Sequence, residues 1–298
     1  QKFSAVKSLK VSEQEKAKIY DALIDYYDFK HADKILSDDP SALKEKHDLL
    51  ALRAETGVQG ENFVANYLPK DSPIQAHSAR RIGLTTGQAD HTGTFSTLEY
   101  RFSLHYYMDY APGSIPYSTL EMGKFRLRLN YHDHKKNNAT TLRPDDFTFI
   151  NIFSGNPHEK FFPYFSWHFK LGAEGIKDQG CDDCFAPLTK FGVGLTKALP
   201  SSFYHLMLNQ SFTVHKDIPH RGYRYGIGPE FNFIWSPKDH IRWKFFGELE
   251  YFALTDIHLT HAYGSELRLD LQENLALNLQ YTRYQLQAES SLGIFYYY

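Results

Sequence analysis

No stretch of this 298-residue chain approaches the roughly 18 consecutive apolar residues of a membrane helix, and the mean hydropathy is −0.48. A helical membrane protein is thereby excluded. A membrane-crossing strand is not, because half of its positions are polar. Net charge is nearly absent, at −2, so the basic excess that favours nucleic acid is missing. Cysteine falls to 2, too few for a disulfide-built scaffold. The chain opens on Gln1, with neither Met nor a signal sequence, and is expected to be a processed protein. What it has in quantity is aromatic side chains: 21 Tyr and 23 Phe, within an aromatic share of 16%.

Those aromatics alternate with polar residues. Leu98, Tyr100, Phe102, Leu104 and Tyr106 are interleaved with Glu99, Arg101, Ser103 and His105. Phe125, Leu127, Leu129 and Tyr131 are interleaved with Lys124, Arg126, Arg128 and Asn130. The same period runs through Phe165–Leu171, Tyr223–Trp235, Ile241–Tyr251 and Ile257–Leu271, and the chain ends on Leu292, Ile294, Tyr296 and Tyr298. A period of two is a strand with one oily and one polar face. The segments exceed the usual soluble strand of about 5 or 6 residues and match the roughly 9 to 11 needed to cross a bilayer. Both signs of charge share the polar faces, as in a lumen that neutralises itself. The expected fold is an all-β transmembrane antiparallel barrel of about twelve strands.

The predicted strands span 78–87, 96–108, 119–132, 145–154, 162–174, 187–199, 202–215, 222–236, 240–254, 257–272, 274–287 and 290–298. Pro200-Ser201, Pro237-Lys238-Asp239 and Gln272-Glu273-Asn274 are tight connections after even-numbered strands, as short periplasmic turns would be. Pro229 predicts a bulge or kink, and a change of oily parity near Arg283 predicts another bulge. The first and last strands are expected to pair, with Ile82 and Leu84 on the lipid side and Gly83 and Gly87 giving room at the seam. Tyr296 and Tyr298 form a terminal aromatic signal of the kind the barrel-assembly machinery reads.

Three parts are expected: a helical segment at 1–58, a linker at 59–76 and the barrel at 77–298. Ser12 and Glu15 form a capping box ahead of Ile19, Leu23, Ile24 and Tyr27. A second helix starts at Asp39-Pro40-Ser41 and stops at Gly57. Two helices of this size cannot bury a core of their own.

His77-Ser78-Ala79-Arg80-Arg81-Ile82-Gly83-Leu84, Leu98–Phe102, Phe165-Ser166-Trp167-His168, Cys181-Asp182-Asp183-Cys184 and Phe191-Gly192-Val193-Gly194 together carry a resemblance. It is to the C-terminal region of the Lnb-like proteins, a Gram-negative envelope family named for a lipoprotein N-acylating enzyme. The motifs cover about residues 75 to 200, and Ala79 departs from the Ser of an H-x-S-x-R pattern. The resemblance implies an upstream periplasmic domain that holds the catalytic Cys and His, so no catalytic role carries over to this chain. It implies an outer-membrane barrel of a Gram-negative bacterium, with a periplasmic N-terminal segment, that anchors or positions an Lnb-like enzymatic domain. The alternatives are a narrow polar channel or transporter barrel and an outer-membrane lipid hydrolase. Expected partners are outer-membrane lipid, the barrel-assembly machinery and the periplasmic domain.

Cys181 and Cys184 are expected to form a structural disulfide in a loop, since neither zinc ligands nor a redox fold accompany them in sequence. His132-Asp133-His134 is an H-x-H in a polar hairpin, a spacing that can ligate metal but more often does nothing. Ser103 with His105, and Ser211 with His215, share strand faces, yet no nucleophile motif stands out. No catalytic, cofactor or metal residue is assigned. Arg126, Arg128, Arg242, Lys244, Glu248, Glu250, Glu266 and Arg268 form the expected lumen charge cluster. It reads either as a salt-bridged filling or as a polar conduit, with Arg126 and Arg128 a candidate anion site; the filled lumen is the favoured expectation.

Overall fold

The computed structural model describes residues 3–59, 76–110, 112–133, 136–159, 163–179, 181, 184–219, 222–253 and 258–298. The chain divides into two compact units, 1–66 and 67–298. The expected linker falls almost wholly outside the described residues, as does His134.

In the first unit, α1 (Glu13–Lys30) starts at the capping box: Ser12 accepts from the Glu15 amide, and Glu15 answers to the Ser12 amide. A short α2 (Ala32–Leu36) follows, and α3 (Pro40–Glu55) is capped by Asp39, which accepts from the Ser41 and Ala42 amides. Tyr20, Tyr27 and Leu49 fill the small space between α1 and α3. Lys46–Asp28 at 2.8 Å and Arg53–Asp21 at 2.6 Å tie the helices at the surface.

The second unit is a closed barrel of twelve antiparallel strands, each beside its sequence neighbours. The strands are β1 (Arg81–Ala89), β2 (Gly93–His105), β3 (Ser118–Asp133), β4 (Ala139–Ser154), β5 (Ser166–Gly175) and β6 (Phe185–Leu199). They continue as β7 (Ser202–Val214), β8 (Tyr223–Lys238), β9 (Ile241–Phe252), β10 (Leu259–Gln272), β11 (Leu275–Tyr284) and β12 (Ala288–Tyr297). β1 closes on β12 from Arg81↔Tyr297 to Ala89↔Glu289, so no edge is left open. The seam needs its glycines. A Cβ on Gly83 would collide with the Phe295 ring, and one on Gly87 with the Ser290 carbonyl.

Twelve strands were legible, with local differences. β4 begins at Ala139 rather than near 145: a bulge opposite Arg126/Leu127 takes up Asp145, and Pro144 pairs with Leu127, so the strand continues through both. Pro229 makes no bulge: it pairs with Leu208, and β8 resumes pairing with β9 at Glu230↔Glu248 in unchanged register. Arg283 also stays in register, with Tyr263 and Ala288; the parity changes because a turn ends β11 one residue later. β2 stops at His105 rather than 108, and that difference matters most below.

The outside of the barrel is apolar along its height. Leu84, Phe102, Leu206, Leu208, Tyr263 and Ile294 are each at least half exposed. Trp167, Tyr204, Trp235, Trp243 and Tyr296 ring the end where the barrel's chain begins and finishes, and Tyr131, Phe212, Tyr225 and Tyr251 ring the other. An apolar band between two aromatic girdles is the surface of a bilayer-spanning barrel. Inside, the core is polar: Arg101, Arg128, Arg268, Asn130 and His205 are among the largest fully buried side chains. Charges withdrawn from water to this degree need partners, and each of these arginines has at least one, Arg101 with Asp109, Arg128 with Glu289 and Arg268 with Glu266.

Candidate functional site

Between β2 and β3, at the end of the barrel that holds Arg81 and Tyr297, the start of the loop, residues 106–109, folds into the lumen. The reason is in its residues. Tyr106, Tyr107 and Met108 are apolar, and Met108 packs wholly buried against Phe203 of β7 and Ile234 of β8. Tyr117, at φ 59°, turns the chain back toward β3 and sets its ring on Phe203 with centroids 4.9 Å apart. Asp109 reaches the opposite wall. Its carboxylate accepts from Arg101, from Arg268, from Arg81 at 3.1 Å and from the Tyr297 hydroxyl at 2.7 Å. The Tyr106 amide donates to it at 3.0 Å, and the His77 ring lies 3.9 Å away. The loop is therefore a bar across the lumen, pinned by apolar packing on one side and by charge on the other.

Burial alone would raise the Asp109 pKa, but Arg101, Arg81 and Arg268 outweigh it and hold the carboxyl well below its usual range. Burial lowers the His77 pKa, against the opposing pull of Asp109. Its Nδ1 lies 2.7 Å from the Ser78 carbonyl, and its buried Nε2 has no hydrogen-bond partner among the described residues.

Tyr106 and Tyr107 line two cavities. On one side is a chamber of about 400 Å³ in mid-barrel; on the other is a vestibule of about 270 Å³ bounded by His105, Asp109, Tyr117, Asp239 and Arg242. Among the described residues lining the chamber, seven Lys or Arg stand against seven Glu, so the chamber has no large net charge to exclude either sign of ion. The expected cluster is distributed around it. Lys244 bridges Glu266 at 3.2 Å and the Tyr106 hydroxyl at 2.7 Å. Arg268 also holds Glu266 at 2.8 Å, and Arg242 holds Asp270 at 2.8 Å. Glu248 and Glu230 share Lys190, while Glu250 accepts from Ser211.

Arg126 and Arg128 sit toward the opposite mouth. Arg126 donates to Asp145 at 2.8 Å, and Arg128 donates to Glu289 at 2.9 Å with its guanidinium over Phe95. Both are committed to protein carboxylates. Residues just after β5, in the loop to β6, reach to that mouth: Lys177 pairs with Glu289 at 3.0 Å, and Arg224 donates twice to Asp178 at 2.8 and 2.9 Å. Cys181 and Cys184 are joined as a disulfide within this loop and pack with Ile176, Ala186 and Ile218. His215 brings its Nδ1 to 3.7 Å from the Cys181 sulfur, a neighbour that sequence distance had hidden. Tyr296 and Tyr298 point outward, rings stacked at 6.2 Å. In the two Ser–His pairs, His105 hydrogen-bonds Ser118 at 3.0 Å and Ser211 donates to Glu250.

Asp109 was the residue the sequence reading passed over. The alternation was extended through Met108, which treated the loop as strand. A usable signal existed: one acid inside the apolar run Tyr106–Tyr110, just before Pro112-Gly113, with inward-facing arginines at 81, 101 and 268 to receive it.

The fold and site define a transmembrane twelve-strand β-barrel with a polar lumen into which Asp109 of the β2–β3 loop reaches. The chain belongs to the DUF7840 family, a domain of unknown function, whose model matches residues 70–298. No curated protein matches it. Among solved structures it is similar to the COG4313 outer membrane channel from Pseudomonas putida F1, at 9% identity and TM-score 0.47, over 80% of this chain and 100% of that one. It is also similar to the NanC porin (5% identity, TM-score 0.44, 72% and 98% covered) and to the KdgM porin in complex with disordered oligogalacturonate (11%, 0.39, 73% and 99%). These likenesses are distant and add nothing about function; the barrel rests on its own strand pairing. Neither the family nor these structures links the chain to the Lnb-like proteins, so that part of the sequence reading is left without support.

Proposed function

We propose that this chain is a gated, narrow polar channel of the outer membrane of a Gram-negative bacterium, with its N-terminal segment on the periplasmic side. The observation that carries this reading is the partition between chamber and vestibule. A barrel that served only as an anchor would have no use for about 400 Å³ of charged, unfilled lumen. Here the interior is hollow, and Tyr106 and Tyr107 of a single loop separate one cavity from the next. Moving that loop would join the two. Both signs of charge on the walls suit small polar solutes rather than one class of ion.

The partners this reading calls for are outer-membrane lipid around the apolar band and the barrel-assembly machinery at the terminal strand. Anchoring of a periplasmic Lnb-like domain remains a second reading, favoured by the separate helical unit ahead of the barrel. Planar-bilayer recording separates the two. Wild-type protein should be closed or open only briefly, whereas Asp109→Ala should conduct steadily. A folded Asp109→Ala barrel that never conducts would overturn the channel and favour the anchor.

A further inference from the structure

Asp109 sits in its cradle as a ligand sits in a receptor. Five donors converge on one carboxylate: Arg81, Arg101, Arg268, the Tyr297 hydroxyl and the Tyr106 amide. Only the last belongs to the loop. The other four belong to β1, β2, β10 and β12 and would stay in place if the loop left. All three arginines are at least 95% buried, and their planes are held by aromatic rings: Arg81 and Arg268 over Phe295, Arg101 toward Tyr297.

The cradle also has capacity to spare. Arg101 Nε and Nη2 and Arg81 Nε are buried N–H donors without a hydrogen-bond partner among the described residues. The nearby glutamates do not satisfy the arginines by themselves, because each is shared with a second cation. Glu99 faces Arg81 and Arg126, Glu121 faces Arg101 and Lys124, and Glu266 faces Arg268 and Lys244. An Asp109-sized anion is what completes the balance. Asp109 lines the vestibule on one side of the loop, and Arg81 and Arg268 line the chamber on the other.

We infer that the Arg81–Arg101–Arg268 cradle is a binding site for a small carboxylate solute, that Asp109 is its built-in occupant, and that a free carboxylate opens the lumen by displacing it. This rests on the channel reading for its consequence but not for the binding itself. A solute carboxylate that takes the donors now held by Asp109 leaves them unavailable to the loop, so binding there and loop closure are mutually exclusive, and each weakens the other by the same factor.

The test uses the full chain in detergent and in planar bilayers, with acetate as probe and chloride at equal ionic strength as control. In wild type, acetate should increase hydrogen exchange of the 106–110 amides, saturably, and chloride should not. In Asp109→Ala, where the cradle is vacant, acetate should raise the unfolding temperature. Arg101→Gln added to that variant should weaken the acetate effect about tenfold or more, the value of one charge-assisted hydrogen bond. If Asp109→Ala does not fold, the wild-type exchange experiment decides alone. Acetate that acts no better than chloride in both measurements overturns the inference, even if Asp109→Ala conducts. Acetate binding with a silent Asp109→Ala barrel would sink the channel and leave the carboxylate site standing.

Discussion

Leu279 lies midway along β11, faces outward, is 45% exposed, and pairs with Leu267 and Leu292, both also outward. Replacing it with Arg tests what the outside of the barrel touches. In a bilayer the substitution puts a guanidinium at the hydrocarbon midplane, at a cost of about 2 to 4 kcal/mol. That is roughly a 30- to 1000-fold change in the folding equilibrium. In water the same change replaces one exposed side chain by another and should stay within about 0.5 kcal/mol. Leu199 supplies the control, since it is also outward and 44% exposed but lies at the β6 end beside the turn at 200–201. There, near the interface, Leu→Arg should cost only about 0 to 1 kcal/mol. Denaturant titration in lipid vesicles, followed by tryptophan fluorescence, would measure both. Equal small costs at the two positions, or wild-type protein that stays monodisperse without detergent, would refute the membrane assignment and with it the channel.

Two further outcomes follow from the two closing loops. Cys181→Ser with Cys184→Ser should leave a folded barrel, because the disulfide closes only a short loop and its contribution should fall below the roughly 3 kcal/mol of a 15-residue loop; heat-modifiable gel mobility would check this, and loss of the folded band would show that Asp178–Arg224 and Lys177–Glu289 cannot hold that mouth alone. The latch at the other end has the opposite pH character to a histidine switch. Asp109 lies in a loop and its folded-state pKa is depressed, so its stabilisation is complete above the ordinary carboxylate pKa and is lost only as pH falls through the depressed value. Wild-type conductance should therefore stay flat from about pH 8 to about pH 5. Opening near pH 6 would assign the sensor to another group.

The barrel was legible because its physics is repetitive. Each strand must show lipid an apolar side chain at every second position, so twelve segments carry the same signal and an error in one is corrected by its neighbours. Lumen parity was legible for the same reason: Arg268 and Glu266 face inward because Leu267 and Leu269 must not. Partnership was less so. That Lys244 meets Glu266, or Arg128 meets Glu289, depends on register between strands and on distance across the lumen, and neither is written in a local period.

The loop 106–117 shows where that local reading runs out. Tyr106 continues the oily parity of Leu98 to Leu104, so alternation extends β2 past its end at His105. What stops the strand is not local. Met108 is drawn to Phe203 and Ile234 across the barrel, and Asp109 is drawn to arginines on β1, β2 and β10. The same tyrosine that would have faced lipid in a longer strand instead hydrogen-bonds Lys244 inside the lumen. A strand end is the one place in a barrel where parity can be abandoned without opening a gap in the wall. The chain uses that freedom to bring a carboxylate to three arginines whose wall partners Glu99, Glu121 and Glu266 are each shared with a second cation. The chain keeps the strand pattern up to His105 and departs from it afterwards, so the fold is read from what repeats and the inward loop from the first acid that does not fit.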